Sequence, residues 1–303
     1  MSGAKQNDFK KYLDPAVVSR LDSLELKSKY IVEGFMLGLH RSPYHGFSIE
    51  FSQHRPYMQG DAPKDIDWKV YGKTEKYYVK QYEEETNLKC QIVLDCSSSM
   101  SFSFQNRISK FHYASMLASA LAYLNIHQKD AVGLTLYSDK ILKSLPPHAT
   151  QIYLNQILSA ISNTELTGKT DTAKCLSQVA EKTSRRGLVV IISDLFDDIK
   201  QTISALKHFR FKKNEVIVFQ VLDPIETSFA FGSDASFKDL ETGELMRTQP
   251  HHIQRAYSEA MQDFIANIKK ECLNSGIEYN LLQTDTPFDK ALFAYLQKRN
   301  NLY

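Results

Sequence analysis

A chain of 303 residues is long enough to bury a sizeable core, as one large domain or as a domain with an elaborate extension. Its hydrophobic content of 43% and charged content of 24% are those of an ordinary soluble globular chain, and a formal net charge of +2 gives no reason to expect nucleic acid or a membrane surface as partner. The longest apolar run, Leu188–Ile192, falls far short of the ~20 residues a bilayer span needs, and Met1–Lys11 lacks the apolar stretch of a secretory leader.

In chain order, Asp14 followed by Pro15 reads as an N-cap with proline at the first helical position. It opens a helix to about Leu39 on Val17, Val18, Leu21, Leu24, Leu26 and Ile31, and Ser42–Gly46 breaks it. Phe47–Thr86 has a different texture, dense in aromatic and charged residues, with Arg55 set to pair with a carboxylate and Trp68 set to anchor the segment on the main core. Asp61, Asp65 and Asp67 lack the ligand alternation and terminal Glu of a calcium loop.

From Cys90 the pattern alternates as in a doubly wound sheet. Strand Cys90–Leu94 leads to a helix around Ile108–Ile126, with Phe111, Ala114, Ala118, Leu121 and Ala122 on one face. Strand Ala131–Tyr137 follows, and the short turn Ser138-Asp139-Lys140 makes Ile141–Leu145 an antiparallel edge, stopped by Pro146-Pro147. Helices near Thr150–Ile161 and Thr172–Lys182 precede strand Gly187–Ser193, and a helix over Ile199–His208 leads to strand Glu215–Leu222. An excursion, Asp223–Pro250, carries the hairpin signal Glu241-Thr242-Gly243-Glu244. A helix near Ile253–Leu273, strand Ile277–Gln283 and a helix Phe288–Lys298 complete the chain. The four cysteines, Cys90, Cys96, Cys175 and Cys272, show no Cys-x-x-Cys spacing, which suits free thiols in a reducing cytoplasm.

Chemistry concentrates where Ile92, Val93 and Leu94 stop at Asp95 and three serines follow. In an open α/β sheet the carboxyl ends of the strands are where ligands bind. Asp95 with Ser97 and Ser99 puts one carboxylate and two hydroxyls on one loop, an all-oxygen set suited to Mg²⁺ rather than Zn²⁺. The alternative is a serine-rich turn that caps the helix near Ile108. Two later stretches bear on the choice: the polar loop Gly168-Lys169-Thr170-Asp171-Thr172, and the apolar run Leu188–Ile192 ending in Ser193-Asp194.

Other chemistries fit poorly. Gly168-Lys169-Thr170 resembles the end of a P-loop, but position 163, where that motif needs glycine, is Asn163. No Gly-x-Ser-x-Gly elbow is present for a serine hydrolase. A Mg²⁺-dependent aspartate-nucleophile phosphatase or phosphotransferase also places an Asp at the end of its first strand. It needs a second acid two residues later for the leaving-group proton, where this chain has Ser97. Binding is therefore favoured over catalysis.

The three stretches together resemble the von Willebrand factor A (integrin I-like) domain and its metal-ion-dependent adhesion site, written Asp-x-Ser-x-Ser, then a loop Thr, then an Asp ending a later strand. The resemblance falls on Asp95, Ser97, Ser99, Thr170 and Asp194. It implies Mg²⁺ or Mn²⁺ at those five residues, with one coordination position left for an acidic side chain of another protein. Glu50-Phe51, Arg55-x-Tyr57, Gly60-Asp61, Ile66-Asp67-Trp68 and Val79-Lys80 narrow it to the bacterial "domain of unknown function 58" proteins. Lys64 stands where that family often has Arg, and Lys cannot reproduce a bidentate Arg contact. The resemblance implies a mostly parallel six-stranded sheet with one antiparallel edge strand over 89–303, a helical and β-rich extension over 1–88, and a cytoplasmic adaptor role beside a MoxR-type AAA+ ATPase.

Overall fold

A computed structural model describes residues 13–40, 55–57, 66, 68–79, 88–105, 107–166, 168, 171–231, 235–238, 245–248 and 250–300. The N-terminal part contains α1 (Pro15–Val18), α2 (Leu24–His40), β1 (Arg55–Pro56), α3 (Trp68–Thr74) and β2 (Tyr78–Val79), with β1 and β2 antiparallel. The single helix expected from Pro15 to Leu39 is two helices. Asp14 caps the first, Ser19 ends it with its Oγ donating back to Ala16 O at 2.9 Å, and Ser23 Oγ accepts from Leu26 N at 3.2 Å to start the second. Side chains of this type compete with the helix for its own backbone groups, so they interrupt one helix and cap the next. Trp68 is 57% exposed and packs edge-on to Tyr71, so it does not anchor the segment on the main core. Asp61, Asp65 and Asp67 lie outside the described residues.

The remainder runs β3 (Lys89–Asp95), α4 (Lys110–His127), β4 (Ala131–Tyr137), β5 (Ile141–His148), α5 (Gln151–Ser162), α6 (Thr172–Lys182), β6 (Leu188–Ser193), α7 (Ile199–Phe211) and β7 (Glu215–Leu222). It continues through α8 (Pro224–Ser228), β8 (Ala235–Lys238), β9 (Leu245–Thr248), α9 (Pro250–Asn274), β10 (Glu278–Gln283) and α10 (Asp289–Asn300). Strands β8 and β9 pair antiparallel, and the residues 241–244 expected to turn between them lie outside the described set.

Six strands form one sheet in the order β10-β7-β6-β3-β4-β5, parallel throughout except for the antiparallel β4–β5 pair at one edge. This is the doubly wound, mostly parallel arrangement with one antiparallel edge strand that the sequence predicts. β3 is central, and its apolar run is continuous because both faces are covered, as in buried parallel sheets generally. Ile92 and Leu94 pack with residues of α2, α4, α5 and α10. Val93 points to the other layer, with residues of α6, α7 and α9.

Strand β5 does not stop at Leu145 but continues through Pro146-Pro147 to His148. Pro146 and Pro147 fall where the pairing of β5 with β4 shifts register between Val132 and Leu134, a bulge at which the missing proline N–H groups break no regular ladder. Opposite it, a Cβ on Gly133 would lie 2.7 Å from Leu145 O and 2.9 Å from Pro147 N, so the close approach of β4 and β5 needs glycine there. All four cysteines are free and buried. No helix among the described residues is long and apolar enough to cross a membrane.

A candidate metal centre at the carboxyl edge of the sheet

Strands β3 and β6 are adjacent and parallel, with Leu94 level with Ile192. That register brings Asp95 and the pair Ser193-Asp194 to the same edge of the sheet. Asp95 is completely buried. Its Oδ1 accepts from Ser97 N at 2.9 Å, and its Oδ2 accepts from Ser193 Oγ at 2.6 Å and from Tyr137 OH at 3.4 Å. Burial first, and the charge of Asp194 second, push its carboxyl up to about 6, against the pull of the Ser193 and Ser97 hydrogen bonds.

After Asp95 the chain turns at Ser97 into a short 3-10 stretch, Ser98–Ser101, pinned by the buried Met100. The Ser97 and Ser99 hydroxyls face each other at 3.0 Å. Ser97 is fully buried, whereas Ser98 and Ser99 are half-buried. The serine-capping role belongs elsewhere: Ser109 Oγ accepts from His112 N at 3.2 Å and caps α4.

Asp194 is 1% exposed. Its Oδ1 accepts from Phe196 N at 3.2 Å, and its Oδ2 accepts from Lys110 Nζ at 2.8 Å. Its carbonyl is held by Gln220 Nε2 at 2.7 Å. Leu195, the next residue, has φ of 58°, a left-handed conformation costly for a side chain of this type. Ser193 Oγ accepts the Leu195 N–H at 2.9 Å and so holds that corner.

Thr170 lies outside the described residues. The described residues on either side of it are tied to the site: Gly168 O accepts from Ser98 N at 3.4 Å, and Asp171 N donates to Ser138 O at 3.3 Å, just after β4. Gly168 has φ of +78°, with Asp139 Oδ1 3.5 Å from where its Cβ would be. Asp171 then caps α6 by accepting from Lys174 N.

Two residues of this edge were not singled out in the sequence. Lys110 is 1% exposed and donates both to Asp194 and, at 2.7 Å, to Glu226 Oε1. Its ammonium sits 4.8 Å from the centre of the Phe196 ring and 5.8 Å from that of Phe102. Burial opposes the charge of Lys110, but the two carboxylates more than offset it and raise its pKa above the ordinary lysine value. Glu226 belongs to α8, where Asp223 and Glu226 form a capping box and Glu226 Oε2 accepts from Asp223 N at 2.7 Å. The string Asp223-Pro224-Ile225-Glu226 carried that signal in the sequence. Lys110 could have been found as the one cation on the helix face that continues through Ala114, Leu117 and Leu121.

Among the described residues no three His, Cys, Asp or Glu side chains are placed to hold a metal. A cation at this edge must therefore draw on hydroxyl oxygens, which the Ser97–Ser99 pair offers beside Asp95. Asp95, Asp194 and Glu226 against Lys110 leave two net negative charges when all are ionised. An all-oxygen set with that residual charge fits a small hard dication, Mg²⁺ or Mn²⁺.

A family model described as "Protein of unknown function DUF58" matches residues 53–266. An uncharacterized protein of Mycobacterium tuberculosis is 26% identical over 235 residues, covering 76% of this chain and 73% of the relative. The crystal structure of the conserved hypothetical protein BatB from Bacteroides thetaiotaomicron superposes with a TM-score of 0.48 at 17% identity, covering 71% of this chain and 98% of that one. The SpRpn10 VWA domain superposes with a TM-score of 0.40 at 11% identity, covering 69% of this chain and 95% of that one. Likenesses at that level carry nothing about function.

Proposed function

This chain belongs to the family described as "Protein of unknown function DUF58", and we propose that it works as a protein-interaction module whose contact runs through a divalent cation. Ser97, Ser99 and Thr170 are assigned as hydroxyl ligands, and Asp95 and Asp194 as the charge that holds Mg²⁺ or Mn²⁺. The observation that carries the reading is the Ser97–Ser99 hydroxyl pair at 3.0 Å, next to a fully buried Asp95 and on the same strand edge as Asp194. Bound there, the cation supplies an electrophilic position for an incoming carboxylate.

The protein's own residues do the rest. Ser193 and Tyr137 orient Asp95, Phe196 N and Lys110 orient Asp194, and Ser98 and Ser99, half-buried, are the residues of the serine loop that a partner can reach. The partner is an acidic side chain of another protein, and the class that the family resemblance suggests is a MoxR-type AAA+ ATPase. A catalytic reading is disfavoured because Ser97 holds the position where an aspartate-nucleophile enzyme needs its second acid.

Affinity capture on the full chain in Mg²⁺ and in EDTA, with wild type, Asp95→Ala and Thr170→Ala, tests the interaction. Capture that depends on Mg²⁺ and fails in both variants, with the fold intact by circular dichroism, supports it. A partner retained through EDTA and through Thr170→Ala overturns it.

A further inference from the structure

We propose that Lys110 is a built-in counter-ion that sets how tightly this edge holds a dication, and that Glu226 strengthens the site by drawing Lys110 off Asp194. The inference rests on the cation-dependent reading above. The ammonium is 1% exposed and divides itself between Asp194 Oδ2 at 2.8 Å and Glu226 Oε1 at 2.7 Å. Such a group is costly to bury unless paired, so it is held wherever those carboxylates are. One of its two partners is a carboxylate assigned to the cation. Lys110 therefore places a positive charge on one of the carboxylates assigned to the dication, and at this range in a buried setting such charges repel strongly.

Glu226 has the opposite influence. It is not free to swing, because Oε2 is fixed by Asp223 N in the capping box that starts α8, so Oε1 is presented to Lys110 from a set position. With Glu226 charged, the ammonium has a second anchor and the edge keeps two net negative charges. Without it, Lys110 falls to Asp194 alone and only one net charge remains. Phe196 and Phe102, flanking the ammonium at 4.8 and 5.8 Å, keep it in place without adding negative charge.

The two residues thus predict effects of opposite sign, which a merely structural role does not. Mg²⁺ is titrated calorimetrically into wild type, Lys110→Met and Glu226→Gln, each checked by denaturation in EDTA. Lys110→Met is expected to bind at least tenfold more tightly, and Glu226→Gln at least tenfold more weakly. Wild-type binding with Lys110→Met unchanged or weaker, or with Glu226→Gln unchanged or tighter, overturns this inference and leaves the cation site standing. If Lys110→Met does not fold, Glu226→Gln decides alone. No Mg²⁺ binding by wild type or by either variant overturns the cation site itself, and this inference with it.

Discussion

Ser193 donates its hydroxyl to Asp95 Oδ2 at 2.6 Å, joining the ends of the two central parallel strands through the carboxylate on which the site is built. The Ser193 oxygen also accepts from Leu195 N at 2.9 Å, so one hydroxyl serves both a buried charge and a left-handed corner. Ser193→Ala leaves Asp95 short of a donor and the buried Leu195 N–H without its acceptor. The expected loss is about 2–4 kcal/mol in chemical denaturation in EDTA, from two disrupted buried hydrogen bonds. A loss below about 0.5 kcal/mol, no more than an ordinary surface change, would mean that this hydroxyl does not organise the edge.

Gly133 makes a second prediction, away from the site. A Cβ there would meet Gln91 Oε1 at 2.4 Å as well as backbone atoms of Leu145 and Pro147. The Gln91 side chain can yield, but the backbone of β5 cannot without loosening its pairing. Gly133→Ala should therefore cost about 1–3 kcal/mol or more and lower the thermal midpoint. An unchanged midpoint would show that β4 and β5 are not as closely apposed as described.

The absence of a second acid after Asp95 predicts no phosphoester turnover. Ser97 does no acid–base work near neutral pH, and its hydroxyl is turned to that of Ser99 at 3.0 Å. Incubation with p-nitrophenyl phosphate and Mg²⁺ should release no product above the uncatalysed rate. Metal-dependent hydrolysis lost in Asp95→Asn would place this chain among the aspartate-nucleophile enzymes.

The sheet was legible because its central strands are buried on both faces and read as short apolar runs closed by polar residues. Asp95, Ser97, Ser99 and Asp194 followed from it, since each lies at or just past the end of such a run. The break between α1 and α2 was missed because Ser19 and Ser23 act through side-chain and backbone hydrogen bonds that leave the apolar spacing unchanged. β5 ran past Pro146-Pro147 because the bulge it makes against Gly133 at the sheet edge, a tertiary fact, accommodates both prolines. Lys110 was passed over because a lysine in a helix is ordinarily solvated, and its burial depends on Glu226, 116 residues away in the chain.

The central claim meets its most direct test in a calorimetric titration of Mg²⁺ into wild type and the Ser97→Ala, Ser99→Ala double variant. Few direct protein ligands leave Mg²⁺ with several of its waters, so wild-type affinity without a partner should be modest. The account predicts measurable wild-type binding that falls at least tenfold when both hydroxyls are removed, with the fold retained by circular dichroism. Binding of unchanged affinity in the double variant would contradict it.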